Sequence, residues 1–257
     1  MEMVEALLDI CQRHNLRIWA DAGTLLGVIR HGGYIPWDDD IDMVMPREDY
    51  DRLQQIAPHE LAEPLFFQTM HTDPGYTHRH AQIRNSNTAA IGLNQKSYTC
   101  NCGIFIDIFP LEYMPASPRH FKRHYNRITR LKQHIRLIQR LLLPLPRGIY
   151  MYCRNHTTCL SDERLFDQYE DLLRSVKRSD ASTWVDITFN HTSPQRPIVL
   201  YEQTLWMDFE YLKMPVPVGY DAILTTHFGD YMTPVKSPSY HGTLIYDTEH
   251  SYKEILK

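Results

Sequence analysis

The sequence lacks an apolar run long enough to cross a bilayer, a span that needs about 18 to 20 residues with few charges. The six residues at its start include two glutamates, so they lack the basic start and the apolar stretch of a secretory signal peptide. We therefore expect a soluble, cytoplasmic protein, or at most one that lies peripherally at the inner face of a membrane.

Cysteine is scarce, and no Cys-x-x-Cys pair occurs among the five cysteines. Their odd number suits reduced thiols in the cytosol better than a disulfide framework. A zinc site built from Cys100, Cys102, Cys153, Cys159 and His156 is the alternative, but this spacing matches no common zinc module. We favour buried free thiols.

The chain also has little net charge, because 27 Lys and Arg are balanced by 31 Asp and Glu to leave −4. Such a balance gives no global attraction to polyanions, and we expect no nucleic-acid partner. With 257 residues, 43% of them apolar, the chain can bury a core without a disulfide or a structural metal.

Hydrophobic periodicity predicts an α+β fold, a mixed sheet flanked by helices. The clearest strand covers 102–110, which is rich in β-branched and aromatic residues and is closed by a proline. Other strands are predicted over 17–20, 38–45, 65–70, 79–84 and 183–185, and helices over 1–14, 24–30, 46–56, 117–142 and 162–178.

The stretch 117–180 is predicted to contain two helices, with a break at 144–148, and this distinguishes it from the rest of the chain. We expect a core at 1–116, a basic amphipathic helical insertion at 117–180 and a C-terminal part of the core at 181–257. Segment 117–147 contains no acidic residue, a composition typical of helices that bind the surface of anionic membranes. One hypothesis is therefore peripheral membrane contact through 117–147. The alternative is that its apolar face packs on the core while the cations face water. These cations are Arg119, Lys122, Arg123, Arg127, Arg130, Lys132, Arg136, Arg140 and Arg147.

A run of four aspartates interrupted by one isoleucine forms the most acidic part of the chain, at 38–42. If this run is extended, Asp38, Asp40 and Asp42 project from one face and Asp39 from the other. Crowded carboxylates repel one another unless a hard cation neutralises them, and oxygen ligands suit Mg²⁺ or Mn²⁺. A solvated acidic loop is the alternative interpretation.

Asp107 is the only acid in the apolar strand at 102–110. Burial of an aspartate without a cation or a hydrogen-bond donor costs several kcal/mol. Asp107 is therefore a third metal ligand, a general base for a hydroxyl, or a core acid bonded to backbone amides.

Gly23 and Thr24 follow a predicted strand and open a helix, a place where backbone amides and the helix dipole can hold a phosphate. Arg30 and His31, one helix later, are further candidates for phosphate contacts. Arg84 and Lys236 are weaker candidates, and His71, His78 and His80 are interpreted as surface histidines because their loop has no fixed ligand spacing.

Several of these motifs closely resemble the LicD family, namely Gly23–Gly27, Arg30–Gly32, Ile35–Asp42 and Met45–Arg47. Ile106–Leu111, Pro215–Pro217 and Phe228–Met232 are similar to further motifs of that family, which also resembles the fukutin-related proteins. The resemblance covers most of the chain and informs the insertion least. It implies a nucleotidyltransferase-type core.

By position, the resemblance implies that Asp40 and Asp42 are the core metal pair, Asp38 an adjoining ligand and Asp107 the third carboxylate. It implies that Gly23 and Thr24 contact phosphate. The fukutin-related members carry a cysteine-based zinc site, and this sequence has no matching cysteine pattern.

The activity implied is metal-dependent transfer of a phospho-alcohol, such as phosphocholine, from a CDP-linked donor, with release of CMP. The acceptor would be a hydroxyl of a glycan or a lipid-linked glycan at the cell surface, such as lipopolysaccharide, capsule or teichoic acid. Two alternatives remain open: an Asp-x-Asp glycosyltransferase that uses a nucleotide sugar, and a glycan- or lipid-binding pseudoenzyme.

Overall fold

The structure is a computed structural model, and it describes residues 1–93, 95, 98–142, 144–156, 161–187, 195–236 and 244–256. The helices are α1 (Glu2–Arg13), α2 (Ala22–His31), α3 (Arg47–Glu60), α4 (Pro118–Leu142), α5 (Arg147–His156), α6 (Asp162–Arg174), α7 (Tyr220–Phe228) and α8 (Tyr252–Ile255). The strands are β1 (Trp19–Ala20), β2 (Asp42–Pro46), β3 (Leu65–Gln68), β4 (Ala81–Asn85), β5 (Ala89–Gly92), β6 (Ile104–Met114), β7 (Thr183–Val185), β8 (Arg196–Pro197), β9 (Thr204–Phe209), β10 (Leu212–Pro217) and β11 (Leu244–Asp247).

The main sheet has the order β1-β2-β6-β4-β3, and β7 and β8 extend it beside the end of β6. Strands β2 and β6 run parallel, whereas the other pairs are antiparallel. Two further antiparallel pairs, β9 with β10 and β5 with β11, complete the architecture. The mixed sheet flanked by helices agrees with the α+β fold expected from the sequence.

The strand predicted to close at Pro110 continues to Met114, so this boundary was wrong. The amide of Asp107 donates to the carbonyl of Ile41, so it points towards the β2 side of β6. Backbone nitrogens alternate between the two edges of a strand, and the nitrogen of Pro110, three residues later, therefore lies on the opposite edge. On that edge the pairing of β6 with β4 extends only to Ile108, and its pairing with β7 starts only at Glu112. Proline therefore costs no ladder hydrogen bond there.

The acidic run also departs from its prediction, because β2 begins only at Asp42. The amide of Asp38 donates to the carbonyl of Ile35 at 2.9 Å, so the chain turns rather than extends before the strand. The expectation that Asp39 points away from its neighbours was consequently wrong, since period-two alternation applies only to extended backbone.

A small hydrophobic cluster packs β5 against α8, and two large clusters stabilise the rest of the described chain. One lies between the main sheet and helices α1, α2 and α3, and the other lies between α4, α5, α6 and the ends of β6 and β7. Helix α4 has the predicted bounds, α6 stops four residues before its predicted end, and α5 was not predicted. No helix among the described residues is both long and apolar enough to cross a membrane.

A buried ion-pair network joins the two large clusters. Arg47, at the start of α3, donates from Nε to Glu112 on β6 at 3.0 Å and from Nη1 to Glu170 on α6 at 2.7 Å. All three side chains are buried, so each depends on the others for compensation of its charge. The network anchors α6 to the sheet.

Candidate active site

A row of polar side chains crosses one face of the otherwise apolar sheet. The strand register pairs Asp42 with Asp107, Asp107 with Gln82 and Gln82 with Gln68, across four neighbouring strands. Paired residues on neighbouring strands project from the same face. Asp21 extends the row beyond β2, since its amide donates to the carbonyl of Asp42 at 3.0 Å.

The carboxylates at one end of this row converge. Ligand oxygens of Asp40, Asp42 and Asp107 lie within 4.8 Å of one another, and the same holds for Asp38, Asp39 and Asp40. The parallel pairing of β2 with β6 brings Asp107 to Asp42, while the turn before β2 brings the other acids to them. The structure thus places all four carboxylates predicted as metal ligands in one cluster, together with Asp39.

The electrostatics of the cluster favour a cation. Burial raises the pKa of Asp42 well above its usual value, and the neighbouring carboxylates of Asp40 and Asp107 raise it further. Burial, followed by the charges of Asp40 and Asp39, raises the pKa of Asp38 to about 6. An all-oxygen, acidic donor set with this mutual repulsion fits a hard divalent ion such as Mg²⁺ or Mn²⁺.

Asp107 has a different environment, with two side-chain donors. Oδ1 of Asp107 lies 2.8 Å from Nε2 of His80 and accepts a 2.6 Å hydrogen bond from Nε2 of Gln82. Burial alone would raise the pKa of Asp107, but the charge and hydrogen bond of His80 and the hydrogen bond of Gln82 outweigh it and hold that pKa below its usual value. Since Oδ1 takes both bonds, Oδ2 is the oxygen that remains for a ligand.

His80 was interpreted as a surface histidine, and this was wrong. Its side chain is buried and packs against Phe109 with the ring centroids 4.3 Å apart and the ring planes tilted by 46°, whereas His71 and His78 are exposed. His80, Gln82 and Arg84 alternate along the start of β4 and its approach, so they share the face that carries Asp107. This alternation was visible in the sequence.

Arg84 lies behind Gln82 rather than at the carboxylates. Its guanidinium donates to Oε1 of Gln82 at 2.6 Å, to the carbonyl of Gly103 at 2.6 Å and to Oε1 of Gln68. Gln68 in turn donates to Asp73 at 2.6 Å. Because Arg84 can only donate, it fixes which end of the Gln82 amide faces Asp107.

A cavity of about 550 Å³ opens beside the acidic cluster. Gly23, Arg30 and the aspartates line one side, while residues 227–235, from the end of α7 onward, supply the other. Arg30 donates to the carbonyl of Tyr231 at 2.7 Å, which fixes its guanidinium at the cavity wall. A volume of this size suits a nucleotide-sized ligand.

Gly23 is required by close packing. A Cβ at this position would collide with Oδ2 of Asp38, so glycine lets that carboxylate approach the start of α2. Thr24, expected near the helix cap, is buried, and its Oγ1 accepts the amide of Asp42 at 2.8 Å, while Asp21 occupies the cap position. Gly32, with φ of 63°, ends the helix.

Several other predicted phosphate contacts lie outside the described lining of this cavity. His31 and Lys236 are exposed, whereas the side chains of Thr24 and Arg84 are buried and take part in the hydrogen bonds described above. Their role in binding phosphate stays a prediction.

The sequence did not indicate a buried ion pair behind the cluster. Arg196 on β8 donates to Asp21 at 2.8 Å and to the hydroxyl of Tyr201 at 3.1 Å, and its Nη2 lies 3.3 Å from Nε2 of His227. His227 lines the cavity, so Arg196 links the charge of Asp21 to the cavity wall.

The described cysteines, namely Cys11, Cys100, Cys102 and Cys153, are free. Cys11 and Cys102 are buried, whereas Cys100 and Cys153 are partly exposed. Cys159, a member of the alternative zinc site, lies outside the described residues.

The chain is similar in sequence to known proteins. A family model described as "LicD/FKTN/FKRP, nucleotidyltransferase domain" matches residues 15–148, just over half of the chain. Lipopolysaccharide cholinephosphotransferase LicD of Haemophilus influenzae is 24% identical over 229 residues, which are 87% of this chain and 84% of that protein. Ribitol 5-phosphate transferase FKRP of Mus musculus is 34% identical over 59 residues, which are 23% of this chain and 12% of the mouse protein. The chain therefore belongs to the LicD/FKTN/FKRP family, and it is a phosphotransferase enzyme.

Proposed function

We propose that this enzyme transfers a phospho-alcohol, of the phosphocholine type, from a CDP-linked donor to a hydroxyl of a cell-surface glycan or glycolipid and releases CMP. The convergence of Asp40, Asp42 and Asp107 beside a cavity of about 550 Å³ carries the proposal. The names of two relatives support it, since one is a cholinephosphotransferase of lipopolysaccharide and the other a ribitol 5-phosphate transferase. Both names describe the transfer of an alcohol phosphate.

Asp40, Asp42 and Asp107 would hold the divalent metal, Mg²⁺ or Mn²⁺, with Asp38 adjoining. When bound, such an ion neutralises the negative charge of a diphosphate and makes its phosphorus more electrophilic. The hydrogen bonds from His80 and Gln82 keep Asp107 an ionised acceptor, which suits a metal ligand better than a base.

The remaining residues of the cavity would bind and orient the donor. The amide of Gly23, near the N-terminus of α2, would donate to a phosphate of the donor, and Arg30 would supply a positive charge from the wall of the same cavity. The acceptor hydroxyl would attack in line with the leaving CMP, so that positioning and charge neutralisation provide most of the rate. His31, Thr24, Arg84 and Lys236 remain candidate phosphate contacts.

We propose a nucleotidyltransferase-type core, with 1–116 and 181–257 as its two parts and 117–180 as a helical insertion. Support comes from the separate hydrophobic cluster that α4, α5 and α6 build against the end of the sheet. We also propose a cytoplasmic location, which the free thiols suit, and peripheral contact with the inner face of the membrane through 117–147.

The test is incubation of the protein with Mg²⁺, a panel of CDP-alcohols and candidate glycan acceptors, with detection of CMP and of phosphorus on the acceptor. Formation of both products in stoichiometric amounts is expected with one alcohol. Release of a nucleoside diphosphate from a nucleotide sugar would instead identify a glycosyltransferase. Calorimetric Mg²⁺ binding that is lost in Asp40→Ala would argue against a pseudoenzyme, whereas absence of both Mg²⁺ binding and turnover would identify one.

A further inference from the structure

Exposed apolar side chains are concentrated where α4 ends and α5 begins. Leu137 and Leu141 project from the last turns of α4, Leu145 lies in the connection, and Ile149 and Tyr152 follow on α5; each is between 39% and 64% exposed. We call these five residues the α4–α5 tip. Isolated exposed apolar residues are normal on a protein surface, but so many within residues 137–152 indicate an interaction site.

The tip does not belong to the apolar face of the basic helix that was considered for membrane contact in the sequence analysis. That stripe includes Ile128, Ile135 and Leu142, which are buried in the cluster with α6. Leu137 lies on the opposite, exposed side of α4, in line with Arg123 and Arg130 at intervals of two helical turns. The outer face of α4 therefore carries cations along its length and leucines at its end.

The chain segment that forms the tip carries charge of one sign. Residues 118–160 contain ten Lys and Arg and no Asp or Glu, although the whole chain has a net charge of −4. On α4 itself, Lys132 is buried and donates to the carbonyl of Ile187, whereas the other Lys and Arg are exposed. A partner of this surface must therefore combine negative charge with an apolar region.

We propose that the α4–α5 tip inserts its apolar side chains into a bilayer that contains anionic lipids, while the cations of α4 contact the headgroups. A second copy of the chain is a poorer partner, because a symmetric contact would bring two sets of like charges together. A polyanion such as nucleic acid would pair the cations but leave the leucines in water. A membrane interface provides both regions next to each other.

This inference deepens the peripheral membrane contact proposed above and is independent of the transfer reaction. The test is co-sedimentation of the full chain with vesicles of phosphatidylglycerol and phosphatidylcholine, compared with pure phosphatidylcholine, at low and high salt. We expect binding to the anionic vesicles that weakens with salt. Asp42→Asn should lose turnover yet bind vesicles normally, which separates failure of this inference from failure of the proposed activity.

Two variants separate the contributions. Arg123→Gln with Arg130→Gln should weaken binding to anionic vesicles by about fivefold per cation, corresponding to ~1 kcal/mol each. Leu137→Ser with Leu141→Ser and Tyr152→Ser should weaken it at least tenfold and remove the part that resists salt. All five positions are exposed, so thermal unfolding should be unchanged.

The matched controls lie elsewhere on the surface. Val199→Ser with Tyr211→Ser removes equally exposed apolar groups, Lys213→Gln removes an exposed cation, and neither change should affect vesicle binding. The inference would be overturned if the apolar variant bound vesicles as tightly as the wild type, or if neutral and anionic vesicles bound equally. It would also be overturned by a lipid-free dimer that the apolar variant dissociates.

Discussion

Replacement of Gln82 by leucine tests whether the polar row behind the carboxylates positions Asp107. In the structure Gln82 donates to Asp107 at 2.6 Å while its carbonyl oxygen accepts from Arg84 at 2.6 Å. Leucine has a similar volume but cannot donate, so Gln82→Leu leaves Asp107 with His80 as its single side-chain donor among the described residues. The carboxylate can then rotate away from the position in which it would hold a metal.

The magnitude follows from the bond that is lost. A hydrogen bond to a charged group contributes about 1.5 to 3 kcal/mol, and loss of a partner that orients a metal ligand typically lowers activity or metal affinity by about 10- to 100-fold. We expect Gln82→Leu to lower the maximal rate and to raise the Mg²⁺ concentration needed for half-maximal rate, each by about that factor. Affinity for the donor in the absence of metal should change less.

The assay is turnover as a function of Mg²⁺ concentration, with thermal unfolding to confirm the fold. Gln139→Leu is a matched control, because Gln139 is also a buried glutamine but its Nε2 has no hydrogen-bond partner in the described chain. Its replacement should leave the Mg²⁺ dependence unchanged and the stability equal or higher. A folded Gln82→Leu enzyme with the wild-type rate and Mg²⁺ dependence would refute a positioning role for Gln82.

Other predictions concern the glycine against the acidic cluster and the buried network of α3. Gly23→Ala should lower the rate and Mg²⁺ affinity together, since its Cβ displaces Asp38, whereas Gly148→Ala, which meets open space, should leave both unchanged in the same assay. Arg47→Met should lower the free energy of unfolding by about 3 to 5 kcal/mol in urea titrations, because two buried glutamates lose their shared cation; a loss below 1 kcal/mol would show that the network does not anchor α6.

The elements of the fold that could be predicted are those in which the local hydrophobic pattern determines the secondary structure. The apolar run of β6 and the helical spacing of α4 indicated both elements, because burial of one face is the dominant force on each. The start of β2 was not predictable, since the acids before it converge in a turn. The continuation of β6 beyond Pro110 depends on which neighbouring strands end there, which a local pattern does not contain.

In the candidate site, too, some residues could be predicted from the local sequence and others could not. The acidic run is local in sequence, and Asp107 was found because an acid in an apolar strand requires a partner. The partners of Asp107 and Asp21, however, come from β4 and β8, and those contacts exist only through the strand register and the long connections of the chain. The hydrogen bond of Arg84, a predicted phosphate contact, to Gln82 depends on the strand register in the same way.

Asp42→Asn tests whether the converged carboxylates hold the metal on which transfer depends. A carboxylate whose pKa is raised by folding destabilises the metal-free fold at any pH above its unfolded value, so removal of its charge should leave the melting temperature equal or higher. The measurement is CMP release by Asp42→Asn at saturating Mg²⁺, per folded molecule. We expect turnover to be abolished while stability is kept, and a near-normal rate would show that transfer does not depend on a metal held by these carboxylates.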